Sequence, residues 1–153
     1  MQEQVQMPGS AQPSPAAVMP TAERPLDPHN IREAIAVLMT QGQIEMATEM
    51  ADLARALHPH DPSVLAVSAL VAEVTQDWFK AHALLTRLHH LQGESVTVDT
   101  WRHEIRVLRC MGSTLQAFEQ VQKALAHYPS DEVLHKELDE LRALCAPAAA
   151  QAD

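Results

Sequence analysis

The chain has 153 residues, of which 46% are hydrophobic, 20% are charged and only 3% are aromatic. This length fits about one domain, and the abundance of Ala and Leu over aromatic residues favours an all-α protein with a core of small side chains. The formal net charge of -9 argues against nucleic-acid binding, which requires a basic surface.

The sequence also argues against a membrane or an oxidising compartment. No run of apolar residues approaches the ~18 needed for a transmembrane helix, and the N-terminal MQEQVQMPGS lacks the basic start and apolar segment of a signal peptide. Only two cysteines occur, Cys110 and Cys145, and they lack metal-ligand spacing. We therefore predict a cytoplasmic protein without membrane insertion.

Residues 1–27 hold five of the ten prolines, separated by Gln, Ser and Ala. A segment of this composition buries too little apolar surface to offset its ordering entropy, so we predict a disordered tail. The last residues, 146–153, are predicted to be disordered as well.

The middle of the chain is built from one repeated helical unit. In its third copy, apolar residues recur at i, i+4 and i+7 on two successive helices, with Gly112 between them and Pro129 after them. The same pattern fits residues 28–61, 62–95 and, after the inserted pair Val96 and Thr97, 98–131. The steps of 34 and then 36 residues indicate a helical solenoid. Matching positions are Gly42, Gln76 and Gly112 in the turn, Ala47, Ala81 and Ala117 on the second helix, and Pro59, Gly93 and Pro129 at the exit.

These units resemble tetratricopeptide (TPR) repeats, whose pattern is Trp-x2-Leu-Gly-x2-Tyr, then Ala-x3-Phe, then Pro. The third unit supplies Trp101, Leu108, Ala117, Val121 and Pro129 at these positions, and the first supplies Ile31, Leu38, Ala47, Ala51 and Pro59; the second supplies Leu65, Ala69, Ala81 and Leu85. The Leu-Gly pair is replaced by Ala34-Ile35, Ser68-Ala69 and Glu104-Ile105, so no unit keeps its Gly. The resemblance implies an all-α, right-handed TPR-like solenoid of three helix-turn-helix repeats.

A last amphipathic segment at 132–145 is predicted to be a capping helix. The terminal helix of a solenoid has no neighbour on its outer side, so it needs one polar, solvent-exposed face. Its apolar positions are Val133, Leu134, Leu138, Leu141 and Leu144. Trp78 and Phe79 lie near the second turn, and we expect their side chains to cover the apolar core between repeats. The alternative is that they are exposed and anchor a partner.

The resemblance also implies that the first helix of each repeat lines a concave groove in which a peptide binds. Helical spacing then selects the groove residues, namely Arg32, Met39, Leu70, Val74, Arg102, Arg106, Arg109 and Lys136.

Arg102, Arg106 and Arg109 form one stripe, since they lie at i, i+4 and i+7. One interpretation is a basic surface that pairs with carboxylates of a partner. The other is a solvated face whose arginines pair with Glu73, Glu104 or Asp99.

No catalytic or cofactor motif is found. The four glycines are scattered, and there is no Gly-x-Ser-x-Gly, HExxH or Cys-x-x-Cys. His58, His60, His89 and His90 lie at predicted helix ends, where the helix dipole favours them, and do not make a four-ligand zinc site. We therefore predict a non-enzyme with no catalytic residue, metal or cofactor.

The function predicted from the sequence is protein–protein interaction, as an adaptor or dedicated chaperone whose groove takes an acidic or amphipathic segment. The length, acidity and three-repeat plan are similar to small chaperones and accessory proteins of bacterial type III secretion systems. A self-assembling scaffold or homodimer is the alternative. Members of the family that clamp heat-shock-protein tails use groove asparagines, whereas this chain has only Asn30 and carries Ala36 and Leu70 in the groove, so that role is not expected.

Overall fold

The computed structural model describes residues 27–146 together with Gly9. The predicted tails at 1–27 and 146–153 therefore lie almost wholly outside the described residues. Within them the chain forms seven α-helices and no strand, which confirms the all-α solenoid. The helices are α1 (Pro28–Thr40), α2 (Ile44–Leu57), α3 (Pro62–Val74), α4 (Trp78–Gln92), α5 (Val98–Cys110), α6 (Thr114–His127) and α7 (Glu132–Cys145), with a short 3-10 turn at Gly93–Ser95.

The first helix of each pair, and α7 after them, begins at an equivalent polar residue. These residues are Asp27, Asp61, Thr97 and Asp131, spaced by 34, 36 and 34 positions. Each side chain accepts a hydrogen bond from a backbone N–H of the first turn, at 2.9 to 3.2 Å. Such a bond satisfies a donor that has no partner within the helix. The repeat is thus set by capping as well as by apolar spacing.

Three apolar clusters follow one another along the solenoid. The first joins α1, α2 and α3, the second joins α3 and α4 and includes Val107 of α5, and the third joins α5, α6 and α7. Each cluster includes residues of the following pair or of α7, so no repeat completes its core alone.

The two inserted residues are held in place. Val96 is only 4% exposed and belongs to the third cluster, and its carbonyl accepts a hydrogen bond from the Tyr128 hydroxyl at 2.5 Å. Thr97 caps α5. The insertion therefore fills part of the core between α5 and α6.

Two expectations about apolar side chains are wrong. Phe79 is 78% exposed and does not cover the core, because its position points outward in every repeat: Glu45 and Leu115, its equivalents, are exposed too. On α7, Leu134 and Leu141 are buried, whereas the ends of the predicted stripe, Val133 and Leu144, are 46% and 64% exposed. The helix packs mainly on α6, so only its central stripe is covered.

The turn between α3 and α4 contains a residue with a strained backbone conformation, and glycine at this position would remove the strain. Gln76 has φ +59°, while Gly42 and Gly112 occupy the equivalent turns at φ +73° and +76°. A side chain in this region costs about 1 kcal/mol, part of which the greater freedom of glycine in the unfolded chain offsets. We expect Gln76→Gly to raise the free energy of unfolding by about 0.5 kcal/mol, measured by urea denaturation, and Gly112→Gln to lower it by about 1 kcal/mol. A loss of stability in Gln76→Gly would contradict this account.

Candidate functional site

A groove with a volume of about 510 Å³ opens between α1, α3 and α5, the first helices of the three repeats. Its base includes residues of α4, and its walls combine apolar, polar and charged side chains. The lining residues are Arg32, Pro62, Ser63, Ala66, Leu70, Leu85, Leu88, Gln92, Thr97, Asp99, Thr100, Arg102, His103 and Arg106. We call this surface the concave groove.

Four of the predicted groove residues line it, namely Arg32, Leu70, Arg102 and Arg106. The other four are not among the lining residues. Met39 is half-buried against the first apolar cluster, and Val74 is 50% exposed at the C-terminal end of α3. Arg109 faces α7 beyond the groove, and Lys136 is an exposed residue of α7. The cavity is bounded by α1, α3 and α5, and it does not extend to α7.

The middle arginine of the stripe is already paired. Arg106 donates two hydrogen bonds to the Glu73 carboxylate, at 2.6 and 2.8 Å, and His103 lies 2.6 Å from the same carboxylate through its Nε2. Burial acts to raise the pKa of Glu73, but the hydrogen bonds and charges of Arg106 and His103 outweigh it, so the pKa is lowered. Burial, assisted by the charge of Arg106, lowers the pKa of His103 against the opposite effect of Glu73. A neutral His103 that donates from Nε2 fits this arrangement.

The outer two arginines of the stripe are paired as well. Arg102 forms an ion pair with Asp131, the N-cap of α7, and lies 3.8 Å from Asp99. Arg109 contacts two carboxylates of α7, at 2.5 and 2.9 Å. The hydrogen bond to Glu137 is the main reason why the pKa of Arg109 is raised. The stripe thus joins α5 to α3 and α7.

The pairing agrees with the second interpretation of the stripe for Glu73 and Asp99, but not for Glu104. The Glu104 carboxylate is buried and bonds to His89 Nδ1 at 2.9 Å. His89 in turn packs its ring edge-to-face on Trp101, with centroids 4.2 Å apart. Neither this pair nor the His103–Glu73 pair was predicted from the sequence. A signal existed for the first, because Glu104 occupies the leucine position of the repeat motif, which is normally apolar.

One cation of the concave groove has no counter-charge. Arg32, on α1, forms no ion pair within residues 27–146 and lines the wall across from α5. Leu70, 40% exposed, and the half-buried Ala66 lie on α3 between the two walls. The groove therefore offers one free positive charge beside an apolar strip.

Two kinds of site were sought in the described part of the chain and not found. Among these residues no helix is long and apolar enough to cross a membrane, and no group of three or more His, Cys, Asp or Glu side chains could hold a metal ion. Cys110 and Cys145 are both free and exposed.

Comparison with known proteins identifies the fold. No protein-family model and no curated protein sequence matches the chain. Solved structures of TPR domains do match. The first TPR of Spaghetti (RPAP3), bound to an HSP90 peptide, superposes with a TM-score of 0.70 at 12% identity, covering 78% of this chain and 94% of that one. The Sgt2 TPR domain from Aspergillus fumigatus gives 0.69 at 13% identity, with 82% and 83% covered.

A further match is YrrB, described as a TPR protein with an unusual peptide-binding site, at a TM-score of 0.68 and 15% identity, with 82% of this chain and 63% of YrrB covered. At such low identities the likeness concerns the fold alone. The chain therefore has a TPR-like fold, as the repeat pattern predicted.

Proposed function

We propose that the protein binds a segment of another protein in its concave groove. The observation that carries the proposal is an open groove of about 510 Å³ lined by α1, α3 and α5, with an uncompensated cation beside exposed apolar surface. The use of the same fold to hold a peptide in the Spaghetti complex supports it. Such a module needs no catalytic group, which accords with a non-enzymatic role.

The charges of the groove favour an amphipathic partner over a strongly acidic one. A partner carboxylate can pair with Arg32 directly, whereas at Arg106 or Arg102 it would have to compete with Glu73 or Asp131. Apolar side chains of the segment would cover Leu70 and Ala66. A segment with one acidic residue and neighbouring apolar residues fits best. A heat-shock tail of the clamped type is not the proposed partner, because the groove presents Leu70 where a polar clamp residue is needed.

The proposal is tested with a charge placed inside or outside the groove. Leu70→Glu puts a carboxylate on the apolar strip, and Val133→Glu makes the same change at a position of similar exposure on α7, 46% against 40%. Both variants should fold, because both side chains are exposed. Proteins captured from native lysate and identified by mass spectrometry should be retained by wild type and Val133→Glu, lost by Leu70→Glu, and weakened about tenfold or more by Arg32→Ala. Retention of the same proteins by Leu70→Glu would overturn groove binding.

The identity of the partner distinguishes the finer versions of this role. A dedicated chaperone, including one of bacterial type III secretion, is expected to hold one client, whereas an adaptor holds two or more proteins. Cytoplasmic location remains a prediction from the sequence.

Self-assembly is the second candidate, and a specific observation favours it. Phe79 and Leu115, equivalent residues of the second and third repeats, are 78% and 64% exposed. Exposed apolar residues at matching positions could stack against another copy. A scaffold or homodimer should show concentration-dependent size on a sizing column, and Phe79→Ser with Leu115→Ser should remove that dependence.

A further inference from the structure

The first repeat leaves one side of the solenoid uncovered. Val37 of α1 is 52% exposed, whereas the equivalent residues of α3 and α5, Val71 and Val107, are 3% and 0% exposed. Val71 belongs to the first apolar cluster and Val107 to the second, so each of them is covered by the helix pair that precedes it. No described helix precedes α1, and Val37 therefore lies open to solvent.

A stripe of apolar side chains on α2 faces the same open side. Its members are Met46, Met50, Leu53 and Leu57, spaced by 4, 3 and 4 residues. Met50 is half-buried against the first apolar cluster, and the other three are 54%, 55% and 44% exposed. This is the spacing with which the a and d positions of a coiled coil meet a second helix. We call Val37 and these four residues the end face.

The next repeat shows in which direction the stripe points. On α4, Lys80 and Arg87 occupy the positions of the first and third stripe residues. Lys80 lies 3.3 Å from Asp52 of α2, and Arg87 lies 3.3 Å from His60, in the turn that follows α2. Both side chains thus reach back to the preceding repeat. On α2 the same two positions are apolar and have no preceding helix among residues 27–146, so the end face is where one further helix would pack.

The charged residues beside the end face are acidic. Glu45 and Glu49 lie on α2 next to the stripe, both are exposed, and neither forms an ion pair within residues 27–146. Glu33 lies one turn before Val37 on α1 and pairs with the exposed His29 at 3.2 Å. The end face is therefore an apolar surface with an acidic rim.

No arginine of α1 or α2 neutralises this rim. Arg32 lines the concave groove, and Arg55 pairs with Asp52 on the side of α2 that faces α3 and α4. The charge disfavours a second copy of the chain, which would bring an identical acidic rim against this one. It also disfavours residues 1–26, which contain two acidic residues and one basic residue. A basic partner complements the rim.

We propose that the end face binds a basic amphipathic helix of a partner protein. The helix would lie on α1 and α2 in the place of a helix of a preceding repeat, with its apolar side chains on the stripe and its lysines or arginines toward Glu45 and Glu49. Met46 and Met50 suit this contact, because methionine side chains adapt to apolar surfaces of varied shape. The end face is separate from the concave groove, so the protein would have two docking surfaces of opposite charge.

A synthetic peptide of three heptads tests the proposal on the full chain. It carries leucine at positions a and d, lysine at e and g and alanine elsewhere, and a matched peptide has glutamate in place of lysine. Fluorescence anisotropy of the labelled lysine peptide should show saturable binding, and the glutamate peptide should bind at least about tenfold more weakly. Leu70→Glu, in the concave groove, should leave the affinity for the lysine peptide unchanged, which separates this test from that of groove binding.

One pair of variants tests the apolar part of the end face. Met46→Ser combined with Leu53→Ser should weaken binding of the lysine peptide at least about tenfold. Phe79→Ser combined with Leu115→Ser makes the same kind of change at exposed positions of α4 and α6 and should leave the affinity unchanged. All four side chains are exposed, so both variants should fold, which circular dichroism checks.

A second pair of variants tests the acidic rim. Glu45→Gln combined with Glu49→Gln should weaken binding of the lysine peptide about threefold or more. Glu94→Gln combined with Glu119→Gln removes two exposed carboxylates elsewhere and should change the affinity by less than about twofold, although the net charge changes equally.

Several results would overturn the proposal. They are equal binding of the two peptides, unchanged affinity after Met46→Ser and Leu53→Ser, or no saturable binding. A dimer that these two substitutions dissociate would place a second copy on the end face instead. Binding of the lysine peptide only after Val18→Ser and Met19→Ser would place the chain's own N-terminal segment there.

Discussion

Leu108→Ala should lower the free energy of unfolding by about 2–5 kcal/mol. Leu108 is 1% exposed in the third apolar cluster, where α5 packs on α6. Truncation removes the transfer free energy of three carbon atoms and leaves a cavity that rigid neighbouring helices fill only in part. Urea denaturation followed by circular dichroism measures the change.

The matched control for Leu108→Ala is Leu115→Ala. Leu115 is in the same repeat but 64% exposed, so the same truncation should change the free energy of unfolding by no more than about 0.5 kcal/mol. Equal effects of the two substitutions would mean that α5 and α6 do not pack in solution as described.

Leu108→Ala should also broaden the unfolding transition. In a solenoid each repeat contacts only its neighbours, so the destabilised third repeat should unfold before the first two.

Glu73→Ala should lower the free energy of unfolding by about 1–3 kcal/mol. The Glu73 side chain is 17% exposed and serves both Arg106 and His103, which extend from α5. Its removal leaves the His103 ring, 10% exposed, without its acceptor and the guanidinium without its counter-charge. Most of the loss in stability should come from the buried His103 ring, which is left without a hydrogen-bond partner. Arg106 is half-exposed, so water can hydrate its guanidinium.

Asp139→Ala is the control for Glu73→Ala, because it removes the carboxylate from an ion pair in which both side chains are well exposed, 65% for Arg142 and 77% for Asp139. Such pairs contribute little, so the change should stay within about 0.5 kcal/mol. A Glu73→Ala effect as small as that of Asp139→Ala would show that the buried carboxylate does not hold α3 to α5.

The pH dependence of the same cluster has a definite sign. Folding lowers the pKa of Glu73 below its ordinary 4.5 and that of His103 below its ordinary 6.5, so both groups bind protons more weakly in the folded state. The stabilisation from His103 is present above its unfolded pKa and is lost as pH falls through and below that value; that from Glu73 is lost at lower pH. The wild type should therefore lose more stability than His103→Asn between pH about 7.5 and about 5.5, since asparagine can donate to Glu73 without titrating.

Repeat spacing in the sequence was sufficient to predict the seven helices. Ala47, Ala81 and Ala117 are each fully buried, as their equivalent positions predicted. Asp61 caps α3, and Pro62 is its first residue. These features are local: a side chain caps its own helix, and period and burial follow from 3.6 residues per turn. The pattern failed at Phe79 and Leu144, where hydrophobicity alone does not tell which face of a helix has a neighbour.

The pairing of charges could not be derived from the sequence. Glu73 and Arg106 are 33 residues apart, and Arg109 and Glu140 are 31 apart. Which carboxylate reaches which guanidinium depends on the distance and rotation between helices of different repeats. For that reason the sequence left two interpretations of the arginine stripe open, and the structure pairs its members with carboxylates, among them Glu73 of α3 and Glu137 of α7.

The helices, their capping and their stacking order follow from the sequence, because they depend on neighbours within one turn and on a fixed period. Which charges stay unpaired depends on contacts between repeats. Within residues 27–146, Arg32 at the concave groove forms no ion pair, whereas Arg106 on the facing helix is paired with Glu73. The physical reason is that a charge is neutralised or left available according to what lies within about 4 Å of it, and those neighbours come from other repeats.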